Sequence, residues 1–352
     1  MQSDMQSQIY MHKNATIDQT GVACNTTHEV ANEATHLNKK ENVQALLAGK
    51  PYAYTPSAFW LHFPKEINEK GIKSQVQAHV DFARACDLDI VKIMNENEFR
   101  RATPVMNPGE WSSIRVLPQT DQHFSAQREI LARVLEHIGD SHYTIATVHG
   151  LVASLSHSSG YSYTQSPEIM QAHAQENPRA FMDAVKATAE NVYHMLELSE
   201  ESEVDGVYYA ALGGEANRFS DEFFETYFKP AEVELLSALQ NKKLFLHMCK
   251  PDVRLERFMD YPADVVNWAV HENAHKMPDA SILFPHAVAL GGFDDRSGEL
   301  VDGSQDDMLK KLASITTSMG DKPFILGADC TLPTDITYER IRFVAQHVRS
   351  EI

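Results

Sequence analysis

The sequence predicts an α/β fold, a (β/α)8 TIM barrel forming a single domain behind a polar N-terminal extension, and three observations predict it. Eight short apolar runs recur between residues 57 and 327. Amphipathic stretches of helical period separate most of them. The runs are near-continuous rather than alternating, as strands covered on both faces require. Alternating β and α elements imply a parallel sheet, and eight strands close one into a barrel. An open doubly wound sheet is the alternative, but no G-x-G-x-x-G follows the first run.

Residues 1–40 are rich in Asn, Thr, Gln and His without sustained periodicity, and read as a loosely ordered extension with a short helix near Thr27–Leu37. The barrel then occupies 41–352. Its expected strands are Ser57–Leu61, Leu88–Met94, Tyr143–His149, Gly206–Leu212, Leu244–Met248, Val265–Ala269, Ala287–Gly291 and Pro323–Gly327. Expected helices are Ile72–Cys86, Gln127–Ile138, Pro178–Ser199, Asp221–Leu239, Asp306–Met319 and Tyr338–Val348. In Asp306–Met319, Leu309, Leu312, Ile315 and Met319 form an apolar stripe. Ser220 ahead of Asp221 and Glu222 reads as a helix N-cap with acids in the first turn.

The 352 residues carry 31 Lys and Arg against 49 Asp and Glu, a formal charge of −18. Nucleic acid and anionic membrane surfaces both need clustered positive charge, so neither is expected as a partner. No apolar run approaches the roughly 20 residues of a membrane span. The opening MQSDMQSQIYMHKN lacks the basic-then-apolar layout of a secretory signal, so a cytoplasmic chain is expected. Cys24, Cys86, Cys249 and Cys330 read as reduced thiols or ligands rather than a disulfide framework.

Barrel enzymes place their chemistry at the C-terminal ends of the strands. The fifth run ends His247-Met248-Cys249, whose first and third side chains point the same way on an extended strand. The eighth runs into Asp329-Cys330. One imidazole and two thiolates suit Zn²⁺ and leave a fourth position open. The alternative is a pair of buried thiols beside a hydrogen-bonded core histidine. Gly213-Gly214 would let backbone approach a ligand closely, with Glu215 as a displaceable fourth ligand, a general acid/base or a plain loop carboxylate. His149, His271, Lys92 and Asn95 end other runs and are candidates to line the pocket. Asp329 either orients a ligand or caps a turn. His28, His36, His123, His137, His142, His173 and His194 fall in the extension or on helical stretches and read as surface residues. Cys24 and Cys86 read as plain thiols.

Several stretches, in this order, carry a resemblance: Phe59–Pro64, Asp89–Met94, Asp205–Tyr208, Arg218–Ser220, Leu246–Cys249, and Ile325–Cys330 with Pro333. Over residues 42–350 the chain resembles the uroporphyrinogen decarboxylase superfamily, whose members share a (β/α)8 barrel. Its decarboxylases work without metal, holding the propionates of a porphyrinogen with N-terminal arginines and stabilising a pyrrole cation with an aspartate after the second strand. This sequence has no arginine in SAFWLHFP, ends its second run in Lys92-Ile93-Met94-Asn95, and lacks the family's late histidine near Ala328–Asp329. Its other branch comprises zinc-dependent, corrinoid-linked methyltransferases acting on thiols such as coenzyme M. Their H-x-C motif with a distant Cys is matched by His247, Cys249 and Cys330, the last 81 residues beyond Cys249.

The resemblance therefore implies a methyltransferase that binds Zn²⁺ through those three residues. It would move a methyl group from a methylcorrinoid on a separate protein to a small thiol, with Glu215, His149 and His271 positioning the substrate. The chain would act as a monomer or homodimer. Two readings stand beside it: a metal-free decarboxylase of a carboxylated tetrapyrrole, with Lys92, Arg100, Arg101, Lys250 and Arg254 as available cations, and a non-catalytic corrinoid or tetrapyrrole binder.

Overall fold

The computed structural model describes residues 37–97 and 99–350. The helix expected near Thr27–Leu37 lies outside them save for its last residue, as do Cys24, His28 and His36. Eight strands form one closed parallel barrel: β1 (Ser57–Ala58), β2 (Ile90–Ile93), β3 (Tyr143–His149), β4 (Gly206–Ala211), β5 (Lys243–Met248), β6 (Val265–Trp268), β7 (Val288–Phe293) and β8 (Phe324–Ala328). Each pairs with its sequence neighbour, and β8 returns to β1 through Ser57 opposite Leu326. The described helices are α1 (Lys39–Leu47), α2 (Lys65–Glu69), α3 (Ile72–Ala85), α4 (Gln122–Ile138), α5 (Leu151–Ser159), α6 (Ser166–Glu176), α7 (Pro178–Glu201), α8 (Asp221–Tyr227), α9 (Lys229–Ser237), α10 (Ala280–Leu283), α11 (Gln305–Met319) and α12 (Tyr338–Val348). None among them is long and apolar enough to cross a membrane.

Several boundaries differ from expectation for physical reasons. β1 is two residues long, because the chain leaves the ladder at Phe59 and pairs again only at an isolated bridge, Leu61 with Leu332. The expected helix over Asp221–Leu239 is broken at Phe228, where Pro230 enters the first turn of α9 without an N–H to continue the α8 ladder. α5 gives no amphipathic signal because nearly every side chain of LVASLSHSS is buried. The β5–β6 connection carries only the 3₁₀ turn Leu255–Phe258, and the β6–β7 connection the turn Met277–Asp279 with the four-residue α10.

His142 corrects the surface reading of the helical histidines. It is 7% exposed, and burial lowers its imidazole to about 4. His194 is largely covered against Phe124, and His173 accepts a hydrogen bond from the Trp111 indole at 3.0 Å. His137 is exposed. Cys86 sits wholly buried at the C-cap of α3, its thiol pushed up by burial.

At the N-terminal end of the barrel, the buried Asp89 accepts from the Ser57 N–H, the Ser57 hydroxyl and Tyr54, each at 2.9 Å. Arg349, just past α12, reaches the same carboxylate at 3.2 Å and Asp87 at 2.8 Å. Through Asp89, β1 is thus tied to the segment just past α12. His79 on α3 donates from Nδ1 to Gln75 O at 2.7 Å and accepts the Met94 N–H at Nε2 at 2.8 Å, which fixes the end of β2.

Candidate metal centre

β5 and β6 lie in register with His247 opposite Asn267. The Asn267 amide donates to the carbonyls of Leu290 and Ala328, at 2.9 and 3.1 Å, so its Oδ1 is left as an acceptor. His247 Nδ1 sits 2.6 Å from that oxygen and must carry the proton. Nε2 then holds a lone pair, which meets Cys330 Sγ at 3.4 Å. Cys249, one residue past β5, brings its Sγ to 3.7 Å from that of Cys330, two residues past β8. All three donor atoms lie within 4.8 Å of one another. Tetrahedral bonds of about 2.3 Å to sulfur and 2.0 Å to nitrogen would space two sulfurs about 3.8 Å apart and nitrogen from sulfur about 3.5 Å. The donor set and spacing fit a tetrahedral ion.

Proton sharing explains the electrostatics. The hydrogen bond from Cys249 holds the Cys330 thiol well below its ordinary range despite burial. The same bond and burial push Cys249 well up. The two sulfurs share a proton between them, and a cation bound by both would favour its loss. Lys250, immediately after Cys249, has φ +93°, a strained value for a lysine. Its carbonyl accepts from Asn273, which also accepts the Val253 N–H at 2.6 Å.

Glu215 is buried at the mouth but stands outside the three-donor group. Its Oε2 accepts from Tyr163 at 2.7 Å, and Tyr163 in turn accepts the Gly213 N–H at 3.0 Å. The glycine pair serves packing rather than a ligand: a Cβ on Gly214 would lie 2.5 Å from the Phe258 ring, and Gly213 has φ +87°. Arg257, 6% exposed, holds the same turn by donating to Gly213 O at 2.8 Å. His149 donates to Asn95 O at 2.9 Å and packs edge-on to His157. His271 is held by Asp329, whose Oδ2 accepts its backbone N–H at 2.8 Å and its Nδ1–H at 2.9 Å. Asp329 therefore orients His271. Lys311 donates to His271 Nε2 at 2.9 Å. Of the sequence candidates the structure brings together His247, Cys249 and Cys330, while Glu215, His149 and His271 stand apart from that group.

Four further residues complete the mouth. Asn267 was visible only as a polar interruption of VVNWA. Tyr208 stacks on His247 at 5.3 Å and Trp60 meets Tyr208 edge-on at 5.0 Å, both hidden in apolar runs. Asp295 follows β7, 5% exposed, its carboxyl pushed up to about 6 by burial and the nearby Cys330 charge.

Solved structures share this architecture. A methyltransferase from Methanosarcina mazei superposes with a TM-score of 0.74 at 13% identity, over 90% of this chain and 99% of that one. A B12-independent methionine synthase from Shewanella sp. W3-18-1, in complex with selenomethionine, gives 0.55 at 10% identity, over 86% and 95%. At such identities the likeness is one of fold. No curated protein matches the chain by sequence. The family model for uroporphyrinogen decarboxylase matches residues 84–351, well over half the chain, and the chain belongs to that family.

Proposed function

We propose that the chain is a zinc-dependent methyltransferase that moves a methyl group, carried on a corrinoid by a partner protein, to a small thiol. The observation that carries this reading is the three-donor group, His247, Cys249 and Cys330, at the C-terminal end of the barrel. The fold likeness to a methyltransferase supports it. When bound, the zinc ion lowers the pKa of a thiol that joins it as fourth ligand.

The chain's residues do the remaining work. Asn267 keeps the His247 proton on Nδ1 and so keeps Nε2 free to bind metal. The methyl group would pass to the thiol sulfur as its bond to the donor breaks, with the electron pair of that bond staying on the donor. The proton given up by the incoming thiol passes to the Glu215 carboxylate, held in place by Tyr163. His271, fixed by Asp329, and His149, fixed on Asn95 O, border the substrate at either side of the mouth.

Two measurements test this. Elemental analysis of protein purified without chelators is expected to find about one zinc per chain, falling sharply in Cys249→Ser and Cys330→Ser. Loss of the methyl–cobalt absorbance of methylcobalamin is expected when a thiol is added. Release of CO₂ from a carboxylated tetrapyrrole by metal-free protein would instead identify a decarboxylase.

A further inference from the structure

With 49 acidic residues against 31 basic ones, an arginine of this chain readily finds a carboxylate. Arg133, Arg218, Arg254, Arg257, Arg296 and Arg349 each form an ion pair with one. Among the described residues Arg101 and Arg115 do not. The Arg101 guanidinium donates to the Ser113 hydroxyl at 2.5 Å, and that of Arg115 to the Ile114 carbonyl at 3.2 Å. Both line one cavity of about 380 Å³ between the β2–α4 connection and α7, with Arg100 and His123 beside them. Two carboxylates of the same connection are engaged elsewhere. Asp121 meets His123 at 2.6 Å, and Glu110 accepts from the Met106 N–H and the Asn107 amide.

The cavity is held in shape from behind. Asn191 on α7, 3% exposed, accepts the Leu117 N–H at 2.7 Å and donates to the Arg115 carbonyl at 3.0 Å, which pins the arginine segment to the helix. The Ser113 hydroxyl donates to Glu110 O at 2.6 Å and so turns a lone pair to Arg101. Phe99 and Leu117 give the space an apolar wall. Ser158, near the end of α5, lines it as well. It is 8% exposed, and its hydroxyl makes no hydrogen bond among the described residues. A buried hydroxyl is costly unless something in the adjoining cavity bonds to it. None of His247, Cys249, Cys330, Glu215 or His271 lines this space, so it is separate from the metal centre.

We propose that this cavity is a second ligand site, which binds a phosphomonoester with its phosphoryl group on Arg101 and Arg115 and its organic part against Phe99 and Leu117. Guanidinium forks match phosphoryl oxygens two at a time, and clustered like charges are relieved when a dianion enters between them. The Ser158 hydroxyl donates to a further oxygen. The volume is that of a small-molecule site. A net charge of −18 repels anions from the molecule at large, so a basic cavity is what such a ligand requires to be captured at all.

The test measures binding and is independent of methyl transfer. Full-length protein is titrated calorimetrically, at fixed ionic strength, with phenyl phosphate, inorganic phosphate and phenol. Wild type is expected to bind phenyl phosphate at least tenfold more tightly than inorganic phosphate, and phenol not measurably. The double variant Arg101→Gln, Arg115→Gln is expected to lose at least tenfold in affinity for both phosphates, and Ser158→Ala about threefold. Arg101→Lys with Arg115→Lys keeps the charge without the forks and is expected to fall between wild type and the glutamine pair. Circular dichroism and thermal midpoints matching wild type show that each variant is folded. Phosphate binding undiminished in the glutamine pair, phenyl phosphate bound no more tightly than inorganic phosphate, or no binding of either at millimolar concentration overturns the assignment.

Discussion

Asn267 decides which nitrogen of His247 is available, and it does so by committing both amide protons to carbonyls of β7 and β8. Replacing it by alanine frees the ring to turn and to change tautomer. Zinc affinity, measured by competition with a chelator, is expected to fall roughly 10–100-fold in Asn267→Ala with the fold intact. Asn267→Asp removes the same donors and adds a charge, and is expected to retain less zinc-binding selectivity over other divalent ions than wild type. The three donors were legible in the sequence because H-x-C sits at one strand end and a cysteine follows another. Their partners were not. Asn267 acts through a register between neighbouring strands, and Tyr208, Trp60 and Tyr163 look like ordinary apolar residues until the barrel closes.

The loop after β4 shows how tightly an element can constrain one position. Gly214 abuts the Phe258 ring, so Gly214→Ala forces the turn away from the 3₁₀ segment and shifts Glu215 with it. A loss of about 1–3 kcal/mol of stability is expected by chemical denaturation, with Glu215 misplaced even in the folded fraction. At α11, Ser304 and Asp307 form a reciprocal capping box, and Ser304→Ala is expected to cost about 1 kcal/mol. Strand positions were readable because buried parallel strands are continuous apolar runs. Helices α5 and α6 were not, since α5 is buried all round and has no polar face for periodicity to reveal. The α8–α9 break was written in Pro230, but an apolar stripe running through Phe223, Phe224 and Phe228 masked it.

For the molecule as a whole, acid response follows from two opposed sets of buried groups. His79 is fully buried and lowered to about 4, so the unfolded chain takes up its proton first as pH falls. Its contribution is complete above pH 6.5 and is lost as pH falls from there towards 4, roughly 3 kcal/mol in all. His142 adds in the same direction. Glu232, wholly buried between Tyr209, Tyr261 and the Leu151 N–H, is raised to about 6 and works the other way, its contribution present below pH 4.5 and lost as pH rises through 6. The histidines outweigh it, so thermal midpoints are expected to drop between pH 6.5 and 4, with His79→Gln flattening the profile. Arg349→Ala strips a cation from the buried Asp89 and is expected to destabilise by about 2–4 kcal/mol, less than a bare buried charge because Ser57 and Tyr54 remain. That arginine matters because the strand it secures is so brief. A barrel whose ring is completed by two residues has a natural place to gape, and deuterium should enter the amides of Ser57 and Leu326 through local opening long before it reaches those joining β4 to β5, which surrender theirs only when the entire ring comes apart.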